Sequence, residues 1–128
     1  MSQIHLKDKT FEPFILENRI IESVQKVAQE INKDLRGTSP LFLIILNGSF
    51  MFAADLLKRI DLDCETSFVK LSSYEGTKST NQIKHLIGLN EYLKDRHVVI
   101  VEDIIDTGNT LEYVLQELQL HEPKAIKI

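Results

Sequence analysis

The feature that most constrains this chain is a pair of short, wholly apolar runs that each end in a polar loop. The first run is Leu41–Leu46, followed by Asn47-Gly48-Ser49, and the second covers residues 98–101, followed by two acids. Unbroken apolar runs of this length are typical of strands buried on both faces of a parallel sheet. Because ligands of such sheets bind at the carboxyl ends of the strands, we expect the two loops to be neighbours in space.

Helical patterns alternate with these strands. Residues 17–36 carry apolar side chains at three- and four-residue steps, and Gly37 follows where a left-handed cap is expected. The stripe that we expect to face the core is Ile20, Val24, Val27, Ile31 and Leu35. The other predicted elements are helices over 50–60 and 110–120 and strands over 62–71, 83–89 and 124–128. The sequence therefore predicts one α/β domain over residues 1–128, with a mostly parallel sheet flanked by helices.

Composition and charge exclude several classes of partner. The chain has 15 Lys and Arg against 19 Asp and Glu, a net charge of −4, and no long basic run, so we expect no nucleic-acid partner. Its longest apolar run, Leu41–Leu46, is too short to span a bilayer, so we expect no membrane partner. A single cysteine, Cys64, cannot form an internal disulfide, and the N-terminus lacks a signal-peptide pattern. Both features favour a cytoplasmic location.

The loop after residues 98–101 has three chemical parts. The adjacent acids Glu102 and Asp103 can bind the hydroxyls of a ribose or hold Mg²⁺, and Asp106 follows three residues later. The third part is a phosphate cradle that leads into a helix: Thr107, Gly108, Asn109 and Thr110. Each part alone is also explained as a solvated turn or a helix cap. Their order directly after an apolar strand favours a sugar-phosphate site.

Residues 98–110 resemble the phosphoribosyl pyrophosphate signature of type I phosphoribosyltransferases, which is an apolar strand, two acids, two apolar residues, Asp, Thr or Ser, Gly, a variable residue and Thr. The hypoxanthine/guanine branch of that family is similar in three more segments: Leu46-Asn47-Gly48-Ser49, Ser72-Ser73-Tyr74 and His121-Glu122-Pro123-Lys124. The resemblance implies the type I phosphoribosyltransferase fold. It also implies an enzyme of purine salvage that transfers 5-phosphoribosyl from phosphoribosyl pyrophosphate to a 6-oxopurine, giving IMP or GMP and pyrophosphate.

The resemblance further implies residue roles. Glu102 and Asp103 would contact the ribose directly or through the cofactor Mg²⁺, and Asp106 would be the general base beside the purine N7. The ribose and 5′-phosphate site would comprise Glu102, Asp103, Ile104, Asp106, Thr107, Gly108, Asn109 and Thr110. Pyrophosphate would bind a loop entered by a peptide that is often cis in the family: Leu46, Asn47, Gly48 and Ser49. Ser73 and Tyr74 would begin a flexible lid in a polar loop that continues to Asn81.

The chain departs from the family at a few places. Asn47 and Asn109 stand where some relatives carry Lys, which leaves binding through the backbone intact. The region that supplies a base-reading lysine, a stacking aromatic residue and a further acidic ligand does not follow Ile128, so we expect a core that is truncated at the C-terminus and need not be active by itself. By analogy we expect a homodimer or homotetramer. The alternatives are a non-catalytic nucleotide-binding regulator on the same fold and, with a poorer fit, a receiver-like domain whose acidic pair follows the first strand.

Overall fold

The computed structural model describes residues 3–75, 81–87 and 92–128. A short antiparallel hairpin, Ile4–Leu6 (β1) and Lys9–Phe11 (β2), precedes the long helix Glu17–Asp34 (α1). The elements that follow are Leu41–Leu46 (β3), Phe50–Leu57 (α2), Glu65–Glu75 (β4), Asn81–Ile87 (β5), His97–Val101 (β6), Asn109–Gln119 (α3) and Ala125–Lys127 (β7). The predicted α/β class is therefore confirmed, and the N-terminal hairpin is an element that the sequence patterns did not reveal.

The main sheet has five strands in the order β5-β4-β3-β6-β7. Strand β3 lies at its centre and pairs in parallel with β4 and β6, and β6 pairs in parallel with β7. Only the pair of β4 and β5 is antiparallel within this sheet. A central strand covered on both faces has to be apolar throughout, and five of the six residues of β3 are buried. The prediction of a mostly parallel sheet is confirmed.

Alternate residues of β3 contribute to two hydrophobic cores, one on each face of the sheet. The core on the side of α1 and α2 contains Val24, Ala28, Leu35, Phe42, Ile44, Ala53, Leu56, Val99 and Val101. The core on the side of α3 contains Leu41, Leu43, Ile45, Val69, Leu93, Val98, Ile100, Val114 and Leu118. Each fully buried large side chain contributes about 1.5–3 kcal/mol relative to leaving it in water. These two layers hold the carboxyl ends of β3 and β6 in fixed positions.

The prediction of a polar loop from residue 72 to Asn81 is wrong at both ends. Strand β4 runs on to Glu75, and β5 already begins at Asn81. Ser73 pairs with Ile83 and Tyr74 with Gln82 across the two antiparallel strands. Cross-strand pairing therefore outweighs the loop-like composition of this stretch. Residues 76–80 lie outside the described residues, and the lid role of Ser73 and Tyr74 stays a prediction.

The ends of one helix and one strand, and the buried face of α1, also differ from expectation. Helix α2 ends at Leu57, before the predicted residue 60, and β4 begins at Glu65, after the predicted residue 62. In α1, Ile20 is 48% exposed and Val27 is 38% exposed, so the predicted core stripe is wrong at these two positions. Both side chains line an open apolar groove beside the segment that precedes α1. The helix packs against α2 through the adjacent face that carries Val24 and Ala28.

Candidate active site

The two polar loops meet because the strands that lead into them are adjacent. Strands β3 and β6 run in parallel with Ile44 opposite Val101, so both loops leave the same edge of the sheet. Together they line a cavity of about 250 Å³. Its lining is Ile45, Leu46, Gly48, Leu71, Glu102, Asp103, Ile104, Ile105, Asp106, Thr107, Gly108, Thr110 and Leu111. The expectation that the two motifs are neighbours in space is confirmed.

The pyrophosphate loop, defined as residues 46–49, connects β3 to α2. The peptide between Leu46 and Asn47 is cis, as the resemblance implied. Asn47 and Gly48 are exposed, whereas the side chain of Ser49 is fully buried and its hydroxyl donates a hydrogen bond to the carbonyl of Ile45. The hydroxyl of Ser49 thus stabilises the turn from the inside. Of the four predicted pyrophosphate-binding residues, Leu46 and Gly48 line the cavity, and Asn47 and Ser49 do not.

The phosphate loop, defined as residues 106–110, leads into α3. Gly108 precedes the helix with a φ of 84°, in the left-handed region that glycine adopts without strain. The backbone N–H of Asn109 donates to Oγ1 of Thr107 at 3.3 Å, and the first helical bond runs from Glu112 N to Gly108 O at 2.9 Å. The amides of the first helical turn lack partners within the helix and lie at the positive end of its dipole. This loop can therefore accept a phosphate.

The two acids at the end of β6 are coupled. The backbone N–H of Asp103 donates to Oε1 of Glu102 at 3.0 Å, so the chain bends there as expected for two neighbours that serve one ligand. Burial, and a hydrogen bond to Asp103, raise the pKa of Glu102 to about 7. The hydrogen bond from Glu102, and one from the backbone N–H of Ile104, lower the pKa of Asp103. Glu102 therefore titrates near neutral pH, whereas Asp103 is ionised there.

The donor set of the acidic pair suits a hard cation. Among the described residues, no group of three or more His, Cys, Asp or Glu side chains is arranged to hold a metal ion. Mg²⁺ keeps several waters and is commonly bound by one or two carboxylates together with substrate phosphates. Glu102 and Asp103 provide two adjacent carboxylates beside the predicted phosphate sites. The residues present therefore fit Mg²⁺ that arrives with a phosphorylated ligand.

The remaining predicted residues lie at the mouth of the cavity. Asp106 lines it and is exposed, and Asn109 is exposed outside the lining. Ile104 and Ile105 are 72% and 55% exposed, which places two apolar side chains between the acidic pair and Asp106. The sequence patterns gave no role to Ile45, Ile105, Leu71 or Leu111, which also line the cavity. Apolar residues in strands and helices resemble core residues in sequence, so only the strand order could reveal them.

Comparison with known proteins agrees with this geometry. The family model described as a phosphoribosyl transferase domain matches residues 15–128. A hypoxanthine-guanine phosphoribosyltransferase of Lactococcus lactis subsp. lactis is 43% identical over 123 residues, which is 94% of this chain and 67% of the relative. One of Streptococcus pyogenes is 39% identical over 113 residues, 88% of this chain and 63% of the relative. A crystal structure of the Bacillus anthracis hypoxanthine-guanine phosphoribosyltransferase has a TM-score of 0.84 at 36% identity, covering 91% of this chain and 70% of that one.

The chain therefore belongs to the phosphoribosyltransferase family. The relatives named above are hypoxanthine-guanine phosphoribosyltransferases, which confirms the resemblance drawn from the sequence motifs. The chain spans about two thirds of the length of the curated relatives that it matches, 67% and 63% of the two named. None of the helices in the described part of the chain is long and apolar enough to cross a membrane.

Proposed function

We propose that the chain transfers 5-phosphoribosyl from phosphoribosyl pyrophosphate to hypoxanthine or guanine, forming IMP or GMP and pyrophosphate in purine salvage. The observation that carries the proposal is the single cavity that the pyrophosphate loop and the phosphate loop share. A donor with phosphate groups at both ends of a ribose needs two anion sites on either side of a sugar site. The names of the relatives support the choice of 6-oxopurines as acceptors.

The phosphate loop binds the 5′-phosphate in this proposal. The amides of Thr110 and Leu111 are in the first turn of α3, where no helical carbonyl can accept their hydrogen bonds. The hydroxyl of Thr110 lies beside them at the cavity wall, whereas Oγ1 of Thr107 already accepts a hydrogen bond from Asn109. The positive end of the α3 dipole favours the doubly charged phosphate. These groups fix the sugar end of the donor.

The acidic pair holds the ribose. Glu102 and Asp103 accept hydrogen bonds from the two ring hydroxyls or hold Mg²⁺ beside them. Mg²⁺ held by these two carboxylates would supply positive charge to offset the charge of the departing pyrophosphate. The bend that brings the two carboxyls together also keeps the sugar between the two anion-binding loops. This arrangement orients the anomeric carbon toward the acceptor base.

Breaking the bond between the sugar and pyrophosphate creates positive charge on the sugar and negative charge on the leaving group, and both have to be stabilised. As the bond from the anomeric carbon to pyrophosphate lengthens, the sugar becomes cationic, and backbone donors of the pyrophosphate loop stabilise the leaving anion. The purine N9 forms the new bond to the anomeric carbon, while N7 loses its proton to the exposed carboxylate of Asp106. Ser73 and Tyr74 form part of a lid that keeps water from the sugar cation.

We place this activity in the cytoplasm, in a homodimer or homotetramer. The one cysteine, Cys64, is free, which suits a reducing compartment. Phe50 and Met51 are 58% and 66% exposed directly after the pyrophosphate loop, and exposed apolar side chains that cluster are typical of interfaces. Sedimentation velocity of the purified chain tests the assembly, and a monomer at all concentrations would contradict it.

The decisive assay gives the chain phosphoribosyl pyrophosphate, Mg²⁺ and one of hypoxanthine, guanine, xanthine or adenine, and follows nucleotide formation by chromatography. The Lactococcus lactis relative is the positive control. We expect IMP or GMP. Nucleotide from adenine alone would contradict 6-oxopurine specificity. Binding of phosphoribosyl pyrophosphate without turnover of any base would instead support the regulator hypothesis.

A further inference from the structure

The backbone at Gly48 and the carboxylate of Asp103 lie so close together that a methyl group at position 48 would displace one of them. A methyl group on the Cα of Gly48 would lie 2.7 Å from Cγ of Asp103 and 3.1 Å from its Oδ1, with Oδ2 nearer still. Such distances lie well inside van der Waals contact, so one of the two groups would have to move. The backbone of Gly48 lies outside the left-handed region, which only Gly37 and Gly108 occupy among the described glycines. The close approach of the carboxylate, and not the backbone conformation, therefore favours glycine at position 48.

The hydrogen-bond partners of the Asp103 carboxylate do not include Gly48. The carboxylate accepts hydrogen bonds from Glu102 and from the backbone N–H of Ile104. The backbone N–H of Asp103 donates to Oε1 of Glu102 at 3.0 Å. These partners all belong to the end of β6. The pyrophosphate loop therefore packs against an exposed carboxylate that these hydrogen bonds orient.

We propose that Asp103 is a positioning residue for the pyrophosphate loop. Its carboxylate fixes how close the backbone at Gly48 comes to the acidic pair, and thereby sets the distance between the pyrophosphate-binding amides and the sugar site. This role is separate from any contact of Asp103 with ribose or Mg²⁺, and it rests on the proposed function of that loop. A side chain at position 48 displaces the loop, and removal of the carboxylate from Asp103 allows the loop to return.

A double-mutant cycle tests this role, with Gly48→Ala, Asp103→Ala and the double variant prepared in the full 128-residue chain. We expect Gly48→Ala to lower the thermal midpoint by roughly 5–10 °C, as overpacking does in a domain of this size. Its affinity for inorganic pyrophosphate, measured by calorimetry without metal, should fall about 10-fold or more because the loop amides are displaced. The double variant should have the same midpoint as Asp103→Ala alone. Its affinity for pyrophosphate should match that of Asp103→Ala within about threefold.

Two controls separate the steric contact from charge and from backbone strain. Asp103→Asn keeps the shape of the side chain without its charge, so in the Gly48→Ala background it should not restore either readout. Gly37→Ala introduces strain at a φ of 81° with nothing within 4 Å of the added methyl, far from the site. It should lower the midpoint without changing the affinity for pyrophosphate.

The outcomes separate this role from the proposed function. Additive losses in the double variant would overturn the positioning role, because the two residues would then act independently. A lowered midpoint with unchanged pyrophosphate affinity in Gly48→Ala would also overturn it, because the contact would be purely structural. A wild-type chain that does not bind pyrophosphate would overturn both proposals, whereas wild-type binding without rescue overturns only this one.

Discussion

The two loops that we propose to bind anions both contain a glycine, and they use it for different physical reasons. Gly108 has a φ of 84°, and an added methyl would meet nothing within 4 Å. Gly48 has an ordinary φ, and an added methyl would overlap the carboxylate of Asp103. The phosphate loop is therefore shaped by its own backbone, and the pyrophosphate loop by a neighbouring strand end. A glycine in a motif can thus be favoured either by the local backbone conformation or by a close contact with another part of the fold.

The comparison extends to how each loop uses its hydroxyl groups. In the phosphate loop, Oγ1 of Thr107 caps the amide of Asn109 at the solvent-facing turn. In the pyrophosphate loop, the hydroxyl of Ser49 is buried and bonded back to β3. The first hydroxyl is bonded within its own exposed loop, and the second is bonded to the buried strand that precedes its loop. We therefore expect an anion at the pyrophosphate loop to be bound through the backbone.

The largest expected effect is on turnover. The phosphate loop contains a candidate proton acceptor, Asp106, and the pyrophosphate loop contains none. Asp106→Asn should lower turnover by roughly 10²–10⁴-fold, the usual range for loss of a general base. Binding of phosphoribosyl pyrophosphate should largely persist. Steady-state kinetics against hypoxanthine measure the rate, with Asp63→Asn, an exposed residue before β4, as the matched control. An unchanged rate in Asp106→Asn would remove this residue from the role.

The next effect tests whether the phosphate loop needs glycine for its backbone alone. Gly108→Ala should lower the free energy of unfolding by about 1–2 kcal/mol, the cost of left-handed backbone for a residue with a side chain. Gly37→Ala, at a φ of 81°, should lose a similar amount. Only Gly108→Ala should weaken binding of ribose 5-phosphate, measured by calorimetry. Rescue of Gly108→Ala by Asp103→Ala would contradict the distinction between the two loops.

A smaller effect concerns internal support of the pyrophosphate loop. Ser49→Ala removes the buried hydrogen bond to the carbonyl of Ile45 and should lower the free energy of unfolding by about 1 kcal/mol. Denaturant titration measures the change. Ser39→Ala is a control from a serine that donates no hydrogen bond through its hydroxyl in the described contacts. Equal losses in the two variants would mean that the buried bond does not stabilise the loop.

The smallest effect is a pH dependence that arises at the acidic pair. Burial and the hydrogen bond to Asp103 raise the pKa of Glu102 from 4.5 to about 7, so the folded chain holds this proton more tightly than the unfolded chain. Its contribution to stability is therefore complete below pH 4.5 and is lost as the pH rises through about 7. The lowered pKa of Asp103 acts with the opposite sign below its ordinary value of 3.8, outside this window.

Thermal melts without metal across that window measure the slope for the wild type and for Glu102→Gln. We expect the midpoint of the wild type to fall with rising pH and the variant to lose most of that slope. Solvent screens the partly exposed carboxyl, which keeps the change small. Identical slopes would show that another group titrates. A slope of the opposite sign would contradict the raised pKa.

Much of the fold and site follows from local sequence. The wholly apolar β3 could only be a strand covered on both faces, and five of its six residues are buried. Residues Glu102 to Thr110 were expected to form an acidic bend and a phosphate cradle, and Gly108 and Thr107 adopt that geometry. The local geometry follows the prediction because apolar periodicity, helix starts and turns depend on neighbouring residues, whereas phosphate binding by this segment stays a prediction.

Other features could not be deduced from neighbouring residues. The stretch that ends at Glu75 has a loop-like composition, yet it pairs with β5. Ile20 and Val27 belong to a regular apolar stripe, but they remain exposed because α1 packs through an adjacent face. Periodicity shows which residues can face a partner, and only the placement of the other elements shows which of them do.

The sequence by itself therefore determined the class of fold, the phosphate loop and the acidic pair, because each depends on residues that are close in the chain. Only the tertiary structure decided that the pyrophosphate loop packs on Asp103. That contact requires β3 and β6 to be adjacent and parallel, with Ile44 opposite Val101. Strand order depends on how the whole sheet packs. The contact between Gly48 and Asp103 therefore follows from the tertiary structure and not from neighbouring residues.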